Sequence, residues 1–156
     1  MAHEIERKFL VDQALWHPAS AGTQFVQGYL STDARRTVRV RIAGDKAFLT
    51  IKGKTAGVTR PEFEYEIPPA DARDMLEMCD TPHISKTRHV VPFGGSQWEV
   101  DVFHGENEGL VIAEIELPAE DHEFSKPDWV MAEVSHDPRY YNSSLMKFPY
   151  RSWLTK

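Results

Sequence analysis

The side chains best able to do chemistry in this sequence come as charged residues two positions apart. Glu4 and Glu6 precede Lys8. Further along stand Arg39 with Arg41, the single Lys52, Glu62 with Glu64, Lys86 with Arg88, Glu99 with Asp101, and Glu114 with Glu116. Cations in this number suit a polyanion, with arginines favoured where two oxygens are gripped at once. Carboxylates facing them would repel the anion unless they hold divalent cations that touch it in turn. The chain has one cysteine, Cys79, and seven histidines scattered without ligand spacing, so oxygen donors remain, and these suit Mg²⁺ or Mn²⁺. Gathered in one cavity, these groups would handle a metal-bound polyphosphate.

A spacing of two places side chains on one face of a β-strand. HEIERKFLV, residues 3–11, turns Glu4, Glu6 and Lys8 to one side. RTVRVRI (36–42) sets Arg39 and Arg41 opposite Val38, Val40 and Ile42, and Gly44-Asp45 makes a two-residue hairpin into KAFLTIK (46–52). RPEFEYEI (60–67) sets Glu62, Glu64 and Glu66 opposite Phe63, Tyr65 and Ile67. ISKTRHVV (84–91), QWEVDVF (97–103) and LVIAEIEL (110–117) repeat the design, and FVQGYL (25–30) supplies an eighth strand with Gln27 and Tyr29 on one face. Pro68-Pro69 ends the fourth charged strand. ADARDMLEMC (70–79) then carries Ala72, Met75, Leu76 and Cys79 at helical spacing. Shorter helical pieces are expected at 12–16, 120–124 and 142–147, the last with Asn142 as its N-cap.

A one-sided antiparallel sheet with a wet face also carries alternating charges. Here the signs come in blocks, and like charges two apart on a strand repel unless something opposite sits between them. The arrangement that satisfies this is α+β and mainly β: an eight-stranded antiparallel closed β-barrel with a charged lumen, its apolar side outward and short helices packed outside. Eight strands leave room for side chains and one small ligand. At 156 residues, with 41% hydrophobic and 27% charged, residues 1–156 read as a single domain. The mixed charges of the first eight residues fit neither a signal nor a transit peptide, no apolar run is long enough to span a bilayer, and the lone cysteine fits a reducing cytoplasm. The net charge of −6 speaks against a general nucleic-acid binder. Neither nucleic acid nor membrane is therefore expected as a partner, and the chain is read as a monomer or homodimer.

The run Glu4-Ile5-Glu6-Arg7-Lys8 resembles the ExExK signature of the CYTH superfamily, the triphosphate tunnel metalloenzymes. The resemblance continues in order through Arg39/Arg41, Lys52, Glu62/Glu64, Lys86/Arg88, Asp101 and Glu114/Glu116 to EVSHDPRYYNSSL near the C-terminal end. It covers nearly the whole chain, and within the superfamily the chain is most similar to the short bacterial inorganic tripolyphosphatases. It implies a metal-dependent hydrolase that cuts inorganic triphosphate to diphosphate and phosphate, with Glu4, Glu6 and Glu116 nearest the metal. Cyclisation of ATP, hydrolysis of a nucleoside or thiamine triphosphate, and non-enzymatic polyphosphate binding are the alternatives.

Triphosphate hydrolysis needs charge neutralisation, a positioned water and in-line departure. Lys8, Arg39, Arg41, Lys52, Lys86 and Arg88 are the expected phosphate-binding cations. Glu4, Glu6, Asp101, Glu114 and Glu116 are the expected metal ligands. Glu62 and Glu64 would orient the cations or hold a second ion, since two ions fit the chemistry of water attack on a phosphoryl group. Glu66 is a further carboxylate without an assigned role. A lysine crowded by cations can serve as a base near neutrality. Lys8, Lys52 and Lys86 qualify, and Lys52, oriented by Tyr29, is favoured. On this reading Lys52→Met lowers turnover far more than substrate affinity; a loss confined to binding would make Lys52 a phosphate clamp.

Overall fold

A computed structural model describes residues 3–153. The period-two stretches all form strands: β1 His3–Val11, β2 Thr23–Ser31, β3 Arg36–Ala43, β4 Lys46–Gly53, β5 Thr59–Ile67, β6 Ile84–Phe93, β7 Ser96–Phe103 and β8 Val111–Glu116. Helix α1, Pro69–Glu77, follows β5, and the short strand β9, Val130–Glu133, precedes two small helices, α2 (Asn142–Lys147) and α3 (Tyr150–Trp153). Single 3-10 turns lie at Gly105–Asn107 and Pro138–Tyr140.

Every strand pairing is antiparallel, and the neighbours run β5-β4-β3-β2-β6-β7-β8-β1 before β1 returns to β5 and closes the barrel. Strand β1 does this by dividing its edges. Residues 6–10 pair with β8, residues 3–5 pair with β5, and Phe9 and Val11 pair with β9. Closure removes the free edges that would template pairing with other chains. The β6–β7 hairpin turns on Gly94 and Gly95, whose φ of 57° and 78° belong to the left-handed region a two-residue turn of this kind requires.

The apolar side of the barrel faces outward. Ile5, Phe9, Trp98, Val100, Ala113 and Ile115 pack under Trp16 and Trp129 from the flanking loops. Val40 and Ala47 pack under Ala72 and Leu76 of α1 and under Cys79 just beyond it. The segments at 12–16 and 120–124 are turns rather than helices. Each is too short to repay helix nucleation. In the first, Asp12 accepts from the Ala14 and Trp16 amides and so plants Trp16 in the core. Helix α2 forms where expected, but its N-cap is Tyr141 and no side chain caps it. It also differs from α1 in place. Its Leu145 and Met146 pack on Ile84, Phe103 and Ile112, which share strand faces with Lys86, Asp101 and Glu114, so α2 closes one end of the lumen. Among the described residues no helix is long and apolar enough to cross a membrane.

Gly28 lies on the outer face of β2, where a Cβ would meet the Cys79 Cβ at 2.9 Å and the His83 ring at 3.2 Å. Gly28→Ala is therefore expected to push the end of α1 off the sheet and cost about 1–3 kcal/mol in denaturant unfolding. An unchanged midpoint would show that this packing gives way freely.

Candidate functional site

The lumen holds a cavity of about 220 Å³, smaller than the roughly 300–1,000 Å³ pockets that enclose drug-sized ligands. Its wall includes Glu4, Glu6, Lys8, Tyr29, Arg39, Arg41, Lys52, Glu62, Glu64, Lys86, Arg88, Glu114 and Glu116, all expected from the sequence. Strand alternation explains the gathering: each residue lies on the inward face of its strand, and cross-strand partners such as Glu6 with Glu116 and Lys8 with Glu114 meet directly. Arg60, Ser135 and Asn142 join the wall without having been assigned a place there, and Glu99 joins it without having been given a role. Glu99 belongs to an alternating pair already visible in the sequence, and Arg60 begins the row that continues as Glu62 and Glu64. Glu66 is exposed and off the wall.

Asp101 is set back behind the wall, fully buried, and both its oxygens are taken. Lys86 Nζ donates to it at 2.7 Å, and Arg88 donates through Nε at 2.8 Å and Nη2 at 2.9 Å. Expected among the metal ligands, Asp101 stands in this structure as the counter-ion of two cations. Burial alone would raise its pKa, but Lys86 and Arg88 outweigh burial and hold it at about 2. Glu114 is engaged by Arg88 at 3.2 Å and by Lys8, which hold it well below the usual carboxylate range against burial. Lys8 is correspondingly raised, Glu114 and Glu6 outweighing its desolvation.

At the end closed by α2 neutral amides join the network. Arg41 Nε donates to Gln27 at 2.7 Å, and Gln27 Nε2 donates to the Asn142 carbonyl oxygen, which also receives Lys86 Nζ, each at 3.1 Å. Asn142 thus serves the lumen instead of capping its helix. Phe25 stacks against Arg41 and Arg88 at 4.6 and 4.8 Å. Burial, with Arg39 and Arg88 nearby, pulls Arg41 down to about 9. Burial, with Arg88 and Arg41 nearby, pulls Lys86 down to about 7 in spite of Asp101.

Towards the other end Lys52 Nζ lies 2.7 Å from Glu4 and 3.5 Å from Glu62. Glu4 is thus the nearest acceptor of Lys52, and Tyr29, expected to orient that lysine, lines the same cavity. Glu64 accepts from Thr50 at 2.8 Å and lies 3.5 Å from Arg39. Glu6 and Glu116 face each other across the β1–β8 pair, an arrangement that costs stability between like charges. Burial and then neighbouring carboxylates raise both, Glu114 acting on Glu6, and Glu4 and Glu6 acting on Glu116. Among the described residues no three acidic, histidine or cysteine side chains are already drawn into a metal site. A facing pair of hard oxygen donors nonetheless fits a cation that completes its shell from water and substrate, the usual habit of Mg²⁺.

A family model described as CYTH domain matches residues 2–144. The chain is 50% identical over 154 residues to the inorganic triphosphatase of Acetivibrio thermocellus, spanning 98% of this chain and 99% of that relative. It is 34% identical to the inorganic triphosphatase of Nitrosomonas europaea, spanning 91% and 95%. A crystal structure of an inorganic triphosphatase superposes with a TM-score of 0.66 at 32% identity, covering 94% of this chain and 95% of that one. A putative adenylate cyclase of Bacillus halodurans shares the fold at a TM-score of 0.61 and 16% identity, covering 78% and 85%.

Asp101→Asn keeps the volume but leaves Lys86 and Arg88 without their shared anion, so a loss of about 3–5 kcal/mol is expected in denaturant unfolding. Asp101 is depressed from its ordinary 3.8 to about 2, so its contribution is present above pH 3.8 and is lost as pH falls towards 2. The variant should lack that portion of the acid dependence. A loss no larger than the ~1 kcal/mol of a surface ion pair would remove Asp101 from this central place.

Proposed function

Because this chain belongs to the CYTH domain family, we propose that it is a divalent-metal-dependent inorganic tripolyphosphatase that hydrolyses triphosphate to diphosphate and phosphate. The observation that carries the reading is the charge balance of the wall. Seven cations, Lys8, Arg39, Arg41, Lys52, Arg60, Lys86 and Arg88, meet seven carboxylates, Glu4, Glu6, Glu62, Glu64, Glu99, Glu114 and Glu116. A wall without surplus positive charge does not suit a pure anion trap. It suits an anion that arrives with divalent cations.

In this reading Arg39, Arg41 and Arg88 grip phosphoryl oxygens, with Lys8, Lys52 and Lys86 as point charges beside them. The Arg39 Nε is buried without a hydrogen-bond partner, a donor for which a phosphoryl oxygen is the fitting acceptor. Glu6 and Glu116, with Glu4 beside them, would hold Mg²⁺ or Mn²⁺, which when bound supplies charge neutralisation and Lewis acidity. Glu62 and Glu64 are spoken for by Lys52, Thr50 and Arg39, which supports an orienting role for them rather than a share in a second metal. Burial and neighbouring cations bring Lys86 to about 7, whereas Lys8 is raised. Lys86 rather than Lys52 then takes the proton of the attacking water, and Lys52 steadies phosphate.

Phosphate release from tripolyphosphate, ATP and thiamine triphosphate, each with Mg²⁺, Mn²⁺ or chelator, tests the activity. Metal-dependent cleavage of tripolyphosphate with ATP slow is expected. Turnover of ATP to cAMP would replace the reaction, and tight binding of tripolyphosphate without turnover would replace the enzyme with a binder. A base must be unprotonated, so kcat/KM is expected to rise with pH through about 7, and Lys86→Arg to abolish that limb along with most of the rate. If Lys86 serves only as a clamp, activity falls as its charge is lost above the same pH.

A further inference from the structure

We propose that Arg60 is a further substrate-binding residue, one that engages the phosphate nearest the β4–β5 mouth and so selects triphosphate over the diphosphate product; this rests on the tripolyphosphatase reading above. Arg60 stands opposite Glu4 in the β1–β5 pairing, and directly paired residues project from the same face of a sheet. It therefore faces the lumen, at the end where Thr55 and Gly57 of the β4–β5 connection form the wall. Pro61 follows it and keeps its backbone extended. The guanidinium plane is set by two neutral acceptors, the Gly53 carbonyl at 3.1 Å from Nε and the Thr37 hydroxyl at 3.4 Å from Nη2. A guanidinium carries five N–H donors, so donors remain for a ligand.

The charge of Arg60 is unmatched. Among the described residues, Lys8, Arg39, Lys52, Lys86 and Arg88 each have a carboxylate within 3.5 Å. Among the described residues Arg60 has none within the 4.0 Å of an ion pair, and Arg41 is the other wall cation there in that condition. The two stand apart. Arg41 is held by Gln27 at the end closed by α2, whereas Arg60 touches Thr37, four residues earlier on β3 and roughly 13 Å away along the strand. An anion that satisfies both must be elongated. A chain of three phosphates can reach from one towards the other, while diphosphate held at Arg41 leaves Arg60 without its ligand.

Calorimetric titration of the slow Lys86→Arg protein, with and without Arg60→Gln, using tripolyphosphate and diphosphate in the presence of Mg²⁺, tests this directly. Arg60→Gln is expected to weaken tripolyphosphate about ten-fold or more while leaving diphosphate within about two-fold, and Arg60→Lys to recover most of the loss. In turnover the same change raises KM with kcat nearly unchanged. Equal weakening of both anions, or of neither, would overturn the proposal and leave Arg60 a rim staple for Gly53 and Thr37. Failure of the wild type to cleave tripolyphosphate would instead overturn the activity, and the titration would still decide the part Arg60 plays in binding.

Discussion

The structure turns on one requirement: charges enclosed in a barrel must find partners inside it. Asp101 shows the requirement at its strictest. It lies behind the wall between Lys86 and Arg88, and it is the carboxylate that lets two cations sit side by side away from water. From Arg88 the pairing passes to Glu114, and from Glu114 to Lys8. Four neighbouring strands, β6, β7, β8 and β1, are joined along the inner wall by this run of contacts. Outside, β7, β8 and β1 present Trp98, Val100, Ala113 and Phe9 to the core, so the two faces of each of these strands are committed in opposite senses. A slip of one residue would bury the charges in the core and empty the lumen.

The pairing is deliberately uneven in its distribution. Where a carboxylate holds a cation, geometry and neutrality come together. Where Gln27 holds Arg41, geometry is fixed and the positive charge is left standing. Neutral amides can therefore aim a cation at an anion without spending the attraction beforehand. At Glu6 and Glu116 the opposite bias holds, two carboxylates confronting one another across a strand pair. The lumen thus carries local excesses of each sign within a wall that is balanced as a whole.

Most of this was legible because alternation along a strand is a local property. Eight strands, the hairpin at Gly44-Asp45 and α1 could be read directly, and the inward charges followed from them. What sequence concealed depends on contacts between distant segments. Strand β9 has only four residues and no charged alternation of its own; it is pinned to β1 by Arg7, which meets Glu133 126 residues away. Asn142 has the residue type of a helix cap, and only the position of α2 at the end of the barrel turns its side chain inward. Asp101 shares its spacing with Glu99, yet one is enclosed by two cations and the other lines the cavity, a difference of depth that periodicity does not carry.

The divided edges of β1 bear on the order in which the molecule is made. Lys8 meets Glu114 across 106 positions, and the same strand must also meet β5 before the ring is complete. Contacts of such long separation close slowly, because the chain entropy is lost before they contribute. During synthesis the consecutive hairpins β3–β4 and β4–β5 have their partners early, while β1 waits for β8 to be translated. Until then a row of acidic and basic side chains on β1 lies open to water. Its charge keeps the waiting strand soluble, so the groups suited to the closed lumen also guard the unfinished chain against sticking to its neighbours.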